Sequence, residues 1–201
     1  DFNTLTKKWL DPGEIEAPGM WYKQFPICSA AVTAYNAAQQ TYRQGIKWID
    51  SQQVILHYPV MGDQALTYRH PKTGIEGKFS PEYIIWLVLN HGDINETDFT
   101  SASVPSHFRQ QADHFQRKHD LISTDPTERP VEIELIDSSG KHHVTRVNNP
   151  HGSPKDPLTT AEIEAKLNDL FQPGQLNHFW KLIGQPTTNI SHLKEAFDNE
   201  I

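Results

Sequence analysis

Residues 71–92 read PKTGIEGKFSPEYIIWLVLNHG. They constrain the fold more than any other stretch. Ser80 is a favoured N-cap, because its hydroxyl can accept a hydrogen bond from an unpaired N–H of the first turn. Pro81 suits the first helical position, where its missing N–H costs nothing. Glu82 puts negative charge at the positive end of the helix dipole. From Tyr83 to Leu89 every side chain is apolar or aromatic. A helix with no polar face has to be buried. His91 and Gly92 close it, with Gly able to take the left-handed cap. Just upstream, Arg69, His70, Lys72 and Lys78 gather positive charge in ten residues. A cationic loop at the mouth of a buried helix suits an anionic ligand, and it equally suits a solvated loop. Tyr83 lies in the first turn of that helix.

The rest of the chain supplies what such a helix packs against. Residues 14–25 read as extended and are followed by Pro26. Residues 28–43 are Ala-rich and form a helix with Ala31, Tyr35, Ala38 and Tyr42 at helical spacing. Gly45 stops it. Residues 46–58 read as strand, with Ile46, Trp48, Val54, Leu56 and Tyr58 alternating and a break near Asp50. Residues 61–68 read as a short helix. Residues 95–112 give one or two short helices started by Pro105, and 114–121 a polar strand. A hairpin follows, with residues 131–136 and 141–147 joined by Asp137-Ser-Ser-Gly140. Val131, Ile133 and Leu135 face one way and Glu132 and Glu134 the other, so the sheet has one wet face. Residues 148–157 form a Pro-punctuated loop. Thr159-Thr-Ala-Glu162 is a capping box, and it opens a helix to about Phe171 with Ile163, Leu167 and Leu170 as its buried stripe. Shorter helices are expected near 175–183 and 190–199. Interleaved helices and mostly antiparallel strands give an α+β fold, with residues 1–172 as one domain and 173–201 as C-terminal helices.

Composition narrows the function. The chain has 201 residues, with 18 Lys and Arg against 25 Asp and Glu, a net charge of -7. No global basic field exists to release counterions from phosphates, so nucleic acid is not an expected partner. A single Cys excludes a disulfide framework, a four-Cys zinc site and a multi-thiolate iron–sulfur cluster, and it fits a reducing cytoplasm. No segment is long and apolar enough to span a membrane. The 11 His offer no ligand spacing of the zinc kind: His107, His114 and His119 share no helical face, and the neighbours His142 and His143 point oppositely on a strand. His151 lies in the Pro-rich loop. No metal and no cofactor is expected. The chain opens at Asp1 in what reads as the tail of an earlier element, and mean hydropathy is -0.61; both suggest part of a larger protein.

Lys23 and Cys28 bracket residues 24–27 just before the Ala-rich helix. Lys23 can clamp a carboxylate or move a proton. Cys28 sits near a helix N-terminus, where a thiolate is favoured. Their plainer roles are a surface lysine and a small buried thiol.

Three segments, Tyr22-Lys-Gln-Phe-Pro26, Pro71-Lys-Thr-Gly-Ile-Glu-Gly-Lys-Phe-Ser80 with Tyr83, and Gly152-Ser-Pro-Lys-Asp-Pro-Leu-Thr159 with its helix, resemble in that order the C-terminal half of the MmgE/PrpD family. That family includes 2-methylcitrate dehydratase, cis-aconitate decarboxylase and iminodisuccinate epimerase. The resemblance implies the smaller α+β domain of a two-domain protein, often a homodimer, whose active site lies in the cleft with a large helical domain. It implies a cofactor-independent lyase or isomerase acting beside a carboxylate of a small polycarboxylate. The alternative is a non-catalytic carboxylate-binding or protein-interaction domain. Lys23 and Tyr83 match family active-site positions, Lys78 and Lys72 belong to the matching basic loop, and Cys28 stands where the decarboxylase has a histidine. That departure argues against decarboxylation and leaves dehydration or epimerisation.

Overall fold

The computed structural model describes residues 19–125 and 127–170, with Gln175, Asn177 and Lys181 beyond them. The expected helix at 190–199 falls outside the described residues; of that at 175–183 only Gln175, Asn177 and Lys181 are described, each in helical conformation. Of the described residues, those up to Pro157 form one compact unit and those from Leu158 another.

In the first unit, α1 (Ser29–Arg43) leads through a short 3-10 turn, Trp48–Asp50, into β1 (Ser51–Pro59). A four-residue α2 (Gly74–Gly77) precedes the buried helix α3 (Pro81–His91). A 3-10 turn at Glu96–Phe99, α4 (Ser106–Gln111) and another 3-10 turn at Ala112–His114 bring the chain to β2 (Phe115–Leu121). The hairpin is β3 (Val131–Asp137) and β4 (His142–Val147). The sheet order is β2-β1-β3-β4. β1 runs parallel to β2 and antiparallel to β3, and β3 is antiparallel to β4. The fold is therefore α+β with a mostly antiparallel sheet, as expected. The parallel β1–β2 pair is the feature that alternation alone does not reveal.

Helix α3 forms as its sequence dictates. The Ser80 hydroxyl accepts the Tyr83 N–H at 3.3 Å, Pro81 opens the first turn, and Gly92 ends the helix at φ 88. All residues from Pro81 to Leu89 are buried. Small residues Ala31, Ala34 and Ala38 line the inner face of α1, so it packs closely against α3, β3 and β4. Val54, Leu56 and Tyr58 of β1 and Val131, Ile133 and Leu135 of β3 complete the core. Glu132 and Glu134 alternate with the core residues of β3, which leaves one sheet face polar. Across that face runs a chain of groups with one from each strand: His142 of β4 meets Glu134 of β3 at 2.5 Å, Glu134 meets His57 of β1 at 3.2 Å, and His57 meets Asp120 of β2 at 2.7 Å.

Two local readings need correction. Residues 61–68 are not helical. They form consecutive tight turns, with Gly62, Gln64 and Leu66 each donating to the carbonyl three residues back. Met61 has φ 68, a left-handed conformation that ends helical propagation at once. The strand expected over 46–58 begins only at Ser51. The Asp50 carboxylate accepts the Lys47 N–H and the Ser51 hydroxyl donates to the Trp48 carbonyl, which closes a turn at the break expected near Asp50 and leaves residues 46–50 outside the strand.

The second unit contains α5 (Thr160–Leu170). Its capping box is complete: the Thr159 hydroxyl accepts the Glu162 N–H, and the Glu162 carboxylate accepts the Thr159 N–H. Ile163 and Leu167 are half-buried, whereas Leu170 is exposed. No described helix is long and apolar enough to cross a membrane.

Candidate functional site

Three loops meet at the start of α1, and they are the three segments singled out in the sequence. The Cys28 N–H donates to the Lys78 carbonyl at 2.9 Å, which ties the entry of α1 to the end of the basic loop. The Tyr22 N–H donates to the Gly152 carbonyl at 2.8 Å, which ties the same entry segment to the Pro-rich loop. Gly19, at φ 92, lies against the Pro154 ring, where a Cβ would come within 3.0 Å. Asn36, on the second turn of α1, accepts the His151 N–H at 2.9 Å. Residues 22–28 are thus anchored at both ends, and Lys23 lies between the anchors.

Local chemistry explains why the basic loop holds its shape. Thr73 caps α2 by accepting the Glu76 N–H. The Glu76 carboxylate reaches back to the Lys72 N–H at 2.6 Å. Gly74 and Ile75 donate to the carbonyls of Ala102 and Thr100. Gly74 has to be glycine, because a Cβ there would lie 2.3 Å from the Asp98 carbonyl oxygen.

Lys23 is exposed, beside the bend at residues 24–27. Cys28 occupies the N-cap position of α1 with extended backbone, and its side chain makes no capping bond; it is half-buried. Lys78 is half-buried at the C-cap of α2, and Lys72 is exposed at the loop's start. The backbone therefore brings Lys78 and Cys28 into direct contact. Lys72 stands at the far end of the loop, where its carbonyl accepts the Val104 N–H. Arg69 and His70 are exposed, and His70 faces Asp113 at 3.6 Å.

Tyr83 is only 2% exposed. Its ring packs among Phe108, Phe99 and Trp86. It lies directly beneath the basic loop: a Cβ on Gly77 would come within 2.4 Å of the ring. The Tyr83 hydroxyl donates to the Asp98 carbonyl at 3.3 Å. Burial, with the Asp98 carboxylate adding to it, pushes this phenol up to about 12. It is therefore protonated at neutral pH and can donate a hydrogen bond.

Two groups escaped the sequence reading. Asn36 clamps the Pro-rich loop; its signal is a polar residue between Tyr35 and Ala37 in the Ala-rich stretch. Arg117 was hidden in a strand read only as polar. It pairs with the buried Glu82 in the first turn of α3, through Nε at 2.6 Å and Nη2 at 2.8 Å. Glu82 therefore answers a guanidinium as well as the helix dipole. Exposed apolar side chains cluster in sequence on two of the converging segments: Met20, Trp21 and Tyr22 on one, Ile75 and Phe79 on the other. Among the described residues no three His, Cys, Asp or Glu are placed to hold a metal ion. Several histidines instead pair with carboxylates, as His119 does with Asp63, His143 with Asp137 and His151 with Asp156, while His57 bridges Asp120 and Glu134.

A family model for the MmgE/PrpD C-terminal domain matches residues 25–175. It spans the basic loop, α3, the sheet and the Pro-rich loop, and starts two residues after Lys23. No curated protein matches the chain significantly.

Proposed function

The chain belongs to the MmgE/PrpD family through its C-terminal domain, and on that footing we propose that it is the smaller part of a lyase or isomerase acting beside a carboxylate of a small polycarboxylate, as 2-methylcitrate dehydratase does. The observation that carries this reading is the convergence of the three motif segments through the Cys28–Lys78 and Tyr22–Gly152 backbone bonds. Residues 50 and 130 positions apart in sequence meet there, around lysines suited to carboxylates.

In this reading a base removes a proton from the carbon next to a carboxylate. Negative charge then grows on that carboxylate. Lys23 holds the carboxylate and stabilises the enolate-like charge. Lys78 and Lys72 supply further positive field for the remaining carboxylates, with Cys28 at the helix entry beside them. Tyr83 acts as hydrogen-bond donor or general acid, after its hydroxyl exchanges the Asp98 carbonyl for the substrate. Dehydration expels the β-hydroxyl as water once it is protonated; epimerisation returns a proton to the opposite face. The base comes from the large helical domain of the family architecture, and the protein works as a homodimer without a cofactor.

The test is Lys23→Ala in protein that carries both domains. Turnover of 2-methylcitrate, followed by formation of the unsaturated product, is expected to fall by about 10²–10³-fold, the loss typical of removing one charge-stabilising group. Thermal stability should be unchanged, because Lys23 is exposed. Undiminished turnover overturns the assignment. A second reading, a carboxylate-binding or protein-interaction domain without turnover, is favoured by one observation: the Tyr83 hydroxyl is already engaged inside the core. Saturable binding of polycarboxylates by two-domain protein that turns none of them over would decide for it.

A further inference from the structure

A cleft of about 370 Å³ opens beside the Tyr22–Gly152 contact, with Trp21, Arg129, Asn149, Ser153, Pro154 and Lys155 in its wall. We propose that it binds a small uncharged carboxamide with an apolar body. The inference does not depend on Lys23 taking part in turnover.

Two buried polar atoms of these residues lack a hydrogen-bond partner among the described residues: the Ser153 hydroxyl and the Asn149 side-chain oxygen. Ser153 is 3% exposed. Buried polar groups are nearly always paired, so two orphans on one cleft call for a ligand that satisfies both. Their needs are complementary. The Asn149 oxygen only accepts, so the ligand has to bring a donor. The Ser153 hydroxyl can donate, so the ligand has to bring an acceptor. An amide carries an N–H and a C=O in one rigid, planar, neutral group. A ketone, an ester or a carboxylate has the acceptor and lacks the donor.

The two cations of the wall are already engaged. Lys155 pairs with Asp125 and Glu128. Arg129 lies over the Trp21 ring at 5.9 Å and donates to the Glu128 carbonyl. The site therefore asks for no charge from its ligand, and neither cation has to leave its partners. The amide N–H goes to Asn149, the amide carbonyl to Ser153, and the hydrocarbon to Trp21 and Pro154. Trp21 is 39% exposed, so it has apolar surface left to cover.

The wall is set in advance. Ser153 donates its N–H to the Pro150 carbonyl, Asp156 donates to the Ser153 carbonyl, and Gly152 donates to the Asp156 carbonyl at 2.7 Å. Beside Asn149, the Asn148 carbonyl accepts the Arg129 N–H at 3.0 Å. At about 30 Å³ for each water-sized group, the cleft holds about a dozen non-hydrogen atoms. Sizes in this range are usual for ligand sites.

The experiment titrates the ¹⁵N-labelled full chain with three probes of one shape. They are 3-phenylpropanamide, 4-phenylbutan-2-one, in which a methyl replaces the amide nitrogen, and 3-phenylpropanoate, in which a charged oxygen replaces it. The amide is expected to shift the Trp21 indole and Ser153 amide signals. The ketone brings no donor to Asn149, and the carboxylate sets an anion against its oxygen. Each should bind about tenfold more weakly or worse, the size of one buried hydrogen bond lost. Ser153→Ala should weaken the amide by about the same factor. It should leave the unliganded melting temperature unchanged or raised, since it removes an orphan hydroxyl. Asn149→Leu should bring the amide down to the level of the ketone, a loss of preference that a general loosening of the loop would not produce. Lys23→Ala should bind as the parent does. The proposal is overturned if no probe shifts Trp21 and Ser153, if the ketone or the carboxylate binds as tightly as the amide, or if both cleft variants keep the parent's affinity and preference.

Discussion

Arg117 on β2 and Glu82 on α3 form a two-pronged ion pair inside the protein, with each side chain 2% exposed. A third contact from Arg117 reaches Asp63 at 3.0 Å, and a fourth the Leu66 carbonyl at 2.6 Å. The guanidinium thus fastens an edge strand, a buried helix and the turns after β1 to one point. Every polar atom of the pair has a partner, which is the condition under which a buried charge is tolerated.

Breaking that pair on one side strands the other charge. Arg117→Met and Glu82→Met are each expected to cost about 3–5 kcal/mol. Replacing both residues with apolar ones should cost much less than the sum of the single changes. Urea unfolding of the four proteins of the cycle checks this. A loss below about 1 kcal/mol in Arg117→Met would contradict it.

Glycine at 77 is a packing requirement. A methyl group there has to displace the Tyr83 ring, itself fixed by three aromatic neighbours. Overpacking of this kind costs about 1–3 kcal/mol, or a melting temperature lower by several degrees for a chain of this size. Gly140 is the control. It has φ 81 and nothing near its missing Cβ, so Gly140→Ala should cost only the backbone strain, about 1 kcal/mol.

The Ser80 hydroxyl caps α3 and also donates to Glu82 at 3.3 Å. Ser80→Ala is expected to cost about 1 kcal/mol, and Ser80→Asp to fall short of rescue, because a second carboxylate would face the Glu82 carboxylate. Thermal melts of the two variants at neutral pH discriminate; an aspartate as stable as the parent would count against the Glu82 contact.

The polar sheet face sets an acid limit. Glu134 is held below its ordinary range, chiefly by the hydrogen bond from His142 and also by that from His57, against the opposing effect of burial. Asp120 is held below its range chiefly by the hydrogen bond from His57. A carboxylate depressed in the folded state stabilises the fold above its unfolded value, near 4, and that contribution is lost as pH falls through the folded value. Glu134→Gln should therefore be less stable than the parent above about pH 5, with the gap closing toward pH 2. A gap independent of pH would mean that the carboxylate's charge is not what matters.

Much of this molecule was legible in the sequence wherever the cause is local. Ser80, Pro81 and Gly92 state the ends of α3 within a few residues of where they act, and Thr159 and Glu162 do the same for α5. The 131–147 hairpin follows from alternation and a short turn. What stayed hidden is what depends on partners far along the chain. Glu82 and Arg117 are 35 residues apart, and neither position announces the other. Met61 reads as an ordinary apolar residue, and its left-handed backbone is set by the turn that leaves β1. The candidate site lies between these cases. Its three segments were each recognisable, but the bonds that draw them together join Tyr22 to Gly152 and Cys28 to Lys78, and no periodicity encodes such contacts.

The order of the sheet bears on how this chain is made. β1 lies in the middle of the sheet, yet both strands that flank it come later in the sequence. As the protein leaves the ribosome, β1 emerges with both hydrogen-bonding edges open. One stays open until Leu121 has been synthesised and the other until Asp137. The β3–β4 hairpin needs no such wait. Long-range pairing of this kind is slow and exposes strand edges to other chains. The vulnerable moment in the life of this domain is therefore the interval in which its central strand has been made and its neighbours have not.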